Sequence, residues 1–367
     1  MKVQRRTIAR LAALWTLTSA CGSSGDAKPD ASHAPGTSDA SHGPAMPDAG
    51  DANGSARVAL PGLEMGNGFD DLRFSQTLGK VLAPGNYTGN VYLVEPDTLE
   101  VETISGLSSQ PMWNGSDTQG PASLDEGDGL IFVGDRTAQS LVVLDPERGE
   151  VVAESALDGA PDYVRYVPGT HEVWVTEPYQ MRVEVLSIPA AGTPTPKHEA
   201  FIALSQLPEG LGVDPTRGRV FSQSIFGSVV LVLDVETRTE IASWKTPCTA
   251  MHGNAAIDSK RGLLFVSCRP ATAVVLDLDG DGAVLDSFDL DMGAGIPAYA
   301  AALGHLYFRG DPGVPIAVLD VADDGMLSSL ATLDGANKGH CLAADDRGHV
   351  WACDEAGGSL LRFDDAY

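Results

Sequence analysis

Two histidines, His252 and His340, stand just before short runs of small residues, GNAAI (253–257) and CLAA (341–344). Imidazole changes charge near neutrality, and beside carboxyl groups such as Asp162 and Glu209 it can hold a polar ligand or take part in acid–base chemistry. Four cysteines, Cys248, Cys268, Cys341 and Cys353, follow a fifth at Cys21. In an oxidising compartment the set of four implies two disulfides, for which three connectivities exist. A Cys/His metal site would need a Cys-x-x-Cys spacing, which the chain lacks. Asp277, Asp279 and Asp281 alternate ahead of Gly282, a pattern that can wrap oxygen ligands around Ca²⁺, with Asp286 as a further donor. The twelfth position is Phe288 rather than a bidentate Glu, so a plain Asp/Gly turn is the competing reading. No Gly-x-Ser-x-Gly, His-Glu-x-x-His or phosphate-loop motif is present.

These residues must be positioned by a scaffold, and the scaffold is repetitive. Residues 57–367 contain strand pairs at a nearly fixed spacing: KVLAPG (80–85), LIFVGD (130–135), EVWVTE (172–177), RVFSQS (219–224), LLFVSC (263–268), HLYFRG (305–310) and HVWACD (349–354). Each is followed by a second apolar strand, such as LVVLDP (141–146) or VVLVLDV (229–235). Turns with Asp first and Gly last, VDPTRG (213–218), IDSKRG (257–262) and ADDRG (344–348), precede several of them. A small-residue strand before the turn and an outer strand such as EIASW (240–244) complete a four-stranded antiparallel unit. A β-solenoid would use shorter coils. The period therefore predicts an all-β fold, a seven-bladed β-propeller of four-stranded antiparallel blades.

The propeller supplies the geometry that the bare list of residues lacked. Cys248 and Cys341 start inner strands whose neighbours end at Cys268 and Cys353, so the expected bridges are Cys248–Cys268 and Cys341–Cys353. Asp162, Glu209, Lys338, His252 and His340 fall at one end of the central channel, the expected ligand-binding mouth. Arg136, Tyr179, Phe226, Arg269 and Arg309 lie on connections opening on the same face and would suit a partner surface. The last blade stops one strand short at LLRFDDAY, whereas Ala56–Leu60 has no partner, so the N-terminal segment is expected to close the ring.

The VLD strands and DPxRG turns resemble YVTN-type β-propeller repeats of bacterial exported proteins, within the quinoprotein-like superfamily. The stretch from PEGLGVDPTRGRVF (208–221) to GHCLAADDRGHVWACD (339–354) resembles bacterial propeller lipoproteins. The resemblance spans the repeats and its motifs are structural. It implies the fold, while lactonases, lyases and quinoprotein dehydrogenases on such folds assemble their sites from loops of separate blades.

The N-terminus gives an expected address. Lys2, Arg5, Arg6 and Arg10 precede the uncharged run Leu11–Ala20, which is too short to span a bilayer as a helix. Ala20-Cys21 resembles a bacterial lipobox, with Thr18 where that pattern prefers Leu, which makes residues 1–20 a signal peptide and Cys21 the lipidated residue. Gly22 after the Cys resembles lipoproteins sent to the outer membrane. Residues 21–56, rich in Gly, Ala, Ser, Asp and Pro, read as a disordered tether. With 50 acidic against 24 basic side chains the net charge is −26, which repels nucleic acid. The expected product is a monomeric, lipid-anchored binding module of the bacterial cell envelope, meeting a protein, peptide or glycan without a resident cofactor. The alternative is an exported lactonase- or lyase-like hydrolase, or a quinoprotein-type oxidoreductase, with its site at the channel mouth.

Overall fold

Strands that are apolar without alternation have no face left for water and must lie between two other layers. Leu130–Asp135 and Ser140–Asp145 are of this kind and are buried nearly throughout. Outer strands such as Thr239–Lys245 instead alternate between half-buried and exposed positions. Stacking four-stranded sheets face to face around an axis satisfies both patterns at once.

A computed structural model describes residues 55–64, 66–290, 295–309, 315–334 and 339–367. The signal peptide, Cys21, nearly all of the tether and Lys338 lie outside the described residues. Seven antiparallel sheets are arranged in chain order, each running from an inner to an outer strand. Blade one has inner strand Arg73–Ser75, and blades two, three and four begin with Pro121–Gly127, Val164–Val167 and Pro208–Asp214. Blades six and seven begin with Pro297–Ala300 and Leu342–Ala344. The expected four-stranded seven-bladed propeller is thus the observed fold.

Blade five departs from the pattern read in the sequence. Its inner strand is not the continuous GNAAI run but two pieces, Ala250–Met251 and Ala256–Asp258, both paired with Leu263–Arg269. Gly253, at φ +67°, turns the chain between them.

Cohesion comes from apolar cores between successive blades. Leu82 and Leu93 of blade one meet Leu124 and Val133 of blade two, and the same arrangement recurs around the ring. Between blades seven and one, Val58 and Leu60 join Tyr92, Trp351 and Leu360. Ser55–Ala59 supplies the outer strand of blade seven, pairing with Ser359–Asp364 from Ser55↔Phe363 to Ala59↔Ser359. The closing strand therefore begins two residues before the domain boundary expected at 57.

The DPxRG turns also work between blades. Asp214 accepts the Thr216 N–H at 3.0 Å and Arg217 Nη1 at 2.9 Å, while Arg217 Nη2 reaches Asp279 of blade five at 2.6 Å. Arg347 of blade seven likewise reaches Glu95 and Asp97 of blade one at 2.9 and 2.7 Å.

Candidate functional site at the channel mouth

The inner strands converge, so side chains just ahead of them meet although they are far apart in sequence. Asp70 and Asp71 precede the inner strand of blade one on a buried segment, Asn67–Leu72. Asp70 accepts Arg136 Nη2 at 2.6 Å and faces His340 Nε2 at 3.2 Å. Arg136, on the connection between the middle strands of blade two, also bonds Asp162 and donates to the Asp117 and Pro161 carbonyls at 2.9 and 3.2 Å. His340 Nδ1 lies 3.7 Å from Glu355, and its ring stands edge-on to His252 with centroids 5.2 Å apart. Glu209 Oε1 accepts the Gly253 N–H at 3.3 Å.

Local backbone chemistry sets this arrangement. Gly253 permits the break in blade five that carries His252 toward the mouth, and Gln223 Nε2 donates to the Gly253 carbonyl at 2.8 Å. Gly210 lets blade four approach blade five, since a Cβ there would come 2.4 Å from Asn254 Oδ1. The bridges Cys248–Cys268 and Cys341–Cys353 form as expected and tie the segments bearing His252 and His340 to neighbouring strands.

The electrostatics separate groups of the same type. Burial opposes the charged form of His340, but Asp70 and Glu355 outweigh it and raise the imidazolium to about 10. Burial and the nearby His340 charge push His252 down to about 3, so it is neutral. Asp70 is held below the usual carboxylate range despite its burial, by Arg136 and His340. Asp162 is raised by burial, opposed by Arg136 but reinforced by Asp70 and Asp117. Glu209 is raised to about 8 by burial and by Asp162 and Asp70. The mouth thus holds a charged and a neutral histidine, an ionised Asp70 and a protonated Glu209 side by side.

Of the mouth residues expected from the sequence, the four that fall among the described residues, Asp162, Glu209, His252 and His340, are brought into this one cluster. Asp70 and Glu355 were missed. Asp70 had a usable signal, since Phe69-Asp70-Asp71-Leu72 precedes an inner strand as Asp162 and His340 do. Arg136 and Arg309, expected on a partner surface, are turned inward: Arg136 into the cluster, and Arg309 onto the Cys341 carbonyl at 3.2 Å. Tyr179 and Phe226 are exposed as expected, at 88% and 79%.

Beneath the mouth the channel is closed. Arg165 grips Asp71 with Nη1 at 2.8 Å and Nη2 at 3.1 Å, and Asn254 and Ser123 donate to the same carboxylate at 3.2 and 2.7 Å. On the other side of this plug a cavity of about 470 Å³ runs from Arg165 and Asn254 to the far ends of the inner strands, including Gln76, Pro168 and Asp346.

The acidic turn of blade five is built differently. Asp279 presents both oxygens to Arg217, and Asp277 Oδ1 accepts the Asp279 N–H at 2.8 Å, while Asp281 takes φ +54° within the turn. Among the described residues no group of three or more His, Cys, Asp or Glu is set to hold a metal ion.

No family model and no curated protein matches the chain. Solved structures do. The chain is similar to the Cps50 (Swd1) β-propeller domain of Myceliophteria thermophila at 11% identity and TM-score 0.67, covering 81% of this chain and 97% of that one. A chain of a mitotic checkpoint complex matches at 14% identity and TM-score 0.66, over 86% and 96%. A streptogramin B lyase matches at 12% identity and TM-score 0.64, over 84% and 97%. At such identities the likeness carries the fold: a β-propeller domain, a chain of a checkpoint complex and a lyase share the architecture of this chain.

Proposed function

We propose that this chain is an exported, lipid-anchored propeller that acts as a monomeric binding module at the bacterial cell envelope, taking a polar group of a protein, peptide or glycan at its channel mouth. The observation that carries the reading is the convergence of Asp70, Arg136, Asp162, Glu209, His252 and His340 around one opening. Polar groups drawn from six blades, some with unshared hydrogen-bonding capacity, are what orient a ligand in a concave site. Ala20-Cys21 after an apolar run supports the anchor, with Cys21 as the acylated residue.

The histidine pair favours a second reading, a lyase- or hydrolase-type enzyme. An imidazolium and a neutral imidazole with ring centroids 5.2 Å apart set a proton donor beside a proton acceptor, the pairing that proton removal next to a leaving group requires. The similarity to a streptogramin B lyase supplies a precedent for the fold only.

One experiment addresses both address and site. Wild type, Cys21→Ser and Asp70→Asn are expressed in a bacterial host, fractionated, and screened by thermal shift against envelope peptides and glycans. Wild type should sediment with membranes and Cys21→Ser should not, while ligand-induced stabilisation seen in wild type should vanish in Asp70→Asn. Membrane retention of Cys21→Ser sinks the anchor. Ligand shifts that persist in Asp70→Asn sink the mouth. Turnover of a lactone or ester in a separate activity assay, lost in His252→Gln, would establish the second reading.

A further inference from the structure

Around Glu209 and Asp162 the mouth holds more acid than base. Glu355 has Arg309 behind it, and Arg269 lies on the His252 side. What remains is Asp70, Asp117, Asp162 and Glu209 against Arg136 and His340. Both cations are already committed, Arg136 to Asp70 and Asp162, His340 to Asp70 and Glu355.

Glu209 is only 7% exposed, yet its carboxyl receives one hydrogen bond among the described residues, from Gly253 N–H to Oε1. Its Oε2 has no partner there and is not fully enclosed, so it stays open to a donor from outside the protein. Asp162 uses Oδ1 for Arg136 and leaves Oδ2 without a partner among the described residues. Each carboxyl thus keeps one oxygen that no protein donor fills, and two such oxygens on the adjacent blades three and four can be met together by a donor from outside.

We propose that Glu209 and Asp162 form a receptor for a primary ammonium group, so that the ligand is an amine such as an amino sugar or a lysine-type side chain. The inference rests on the reading of the mouth as a binding site and names its ligand class. An ammonium brings three N–H donors and a full positive charge, which matches two open carboxyl oxygens and the local excess of acid. An anionic ligand would meet the same carboxylates and be repelled.

The charge balance adds a signature. At neutral pH Glu209 carries a proton, because burial and the Asp162 and Asp70 charges disfavour its ionised form. Binding of R–NH₃⁺ reverses that preference, so the Glu209 O–H bond breaks, the carboxylate keeps the electron pair and the proton leaves to the buffer. Association is therefore coupled to proton release and strengthens as pH rises toward 8.

The test is calorimetric titration of the full chain with D-glucosamine and with Nα-acetyl-lysine methylamide. Their neutral counterparts, N-acetyl-D-glucosamine and Nα-acetyl-norleucine methylamide, serve as controls, in two buffers of different ionisation enthalpy. The amines should bind with release of roughly one proton at pH 7, and the neutral counterparts at least about tenfold more weakly. Glu209→Gln, which copies the protonated carboxyl in shape, should abolish the proton release and weaken the amines by about tenfold, with Asp162→Asn as the second variant. Equal binding of neutral and amine ligands, lost in Asp70→Asn, would overturn the ammonium inference and leave the mouth as the site. Amine binding that survives in all three variants would overturn the mouth itself. Absence of amine binding at millimolar concentration, or binding of Mg²⁺ or Ca²⁺ in place of the amine, would also overturn the inference.

Discussion

Asp70 is the residue on which the mouth turns, because its two oxygens serve Arg136 and His340 from different blades. Removing one member of a buried charge cluster leaves the others without compensation, which costs far more than the net worth of the pair. Asp70→Asn should therefore lose about 3–5 kcal/mol of stability in urea denaturation, although the change in shape is small. The pH dependence follows from His340. Its folded value lies near 10, above the ordinary 6.5, so the stability that its pairing contributes is complete below pH 6.5 and is lost as pH rises through 10. In Asp70→Asn that alkaline decline should begin at lower pH, closer to 6.5. An unchanged alkaline limb in the variant would show that Asp70 does not hold the His340 proton.

At the scale of elements, both histidine-bearing segments are tied down by a disulfide. Cys341 adjoins His340, and Cys248 lies four residues before His252, each bridged to the end of the next strand in its blade. The enclosed loops have sequence separations of 12 and 20, for which the chain-entropy account gives about 3 kcal/mol each. Replacing Cys341 and Cys353 with Ala should lower stability by that order and move the His340 titration, followed by NMR, downward from about 10. The other pair should leave His340 where it is. The sequence made this much legible because each cysteine falls at a fixed place in a repeated hairpin. The split inner strand of blade five was not legible, since strand propensity cannot say that the chain turns at Gly253, where the Gly210 N–H and the Glu209 carboxyl of blade four bond its backbone. Nor was the path of Asn67–Leu72, which lies buried in the channel: its ten predecessors read as a closing strand and connector, and it is held there by contacts with distant blades, among them two, three, five and seven.

For the whole molecule, the period of the repeat dictated the ring, and ring closure placed residues from distant blades on one axis. The consequence is a channel divided in two, with the polar mouth on one side and the cavity of about 470 Å³ on the other. The divider is the Asp71–Arg165 pair, both side chains 2% exposed, with Asn254 and Ser123 completing the acceptor capacity of the carboxylate. Four blades thus meet through one ion pair at the axis, where apolar packing is replaced by charge. A buried pair of this kind contributes little beyond an apolar substitute, whereas either partner alone is a serious liability. Arg165→Met and Asp71→Asn should each destabilise by about 3 kcal/mol or more. The double variant should lose less than their sum, by a coupling of about 2 kcal/mol, because the second change removes the charge stranded by the first. Strictly additive losses would mean that Asp71 is held by Asn254, Ser123 and the backbone alone, and that the guanidinium is not what closes the channel.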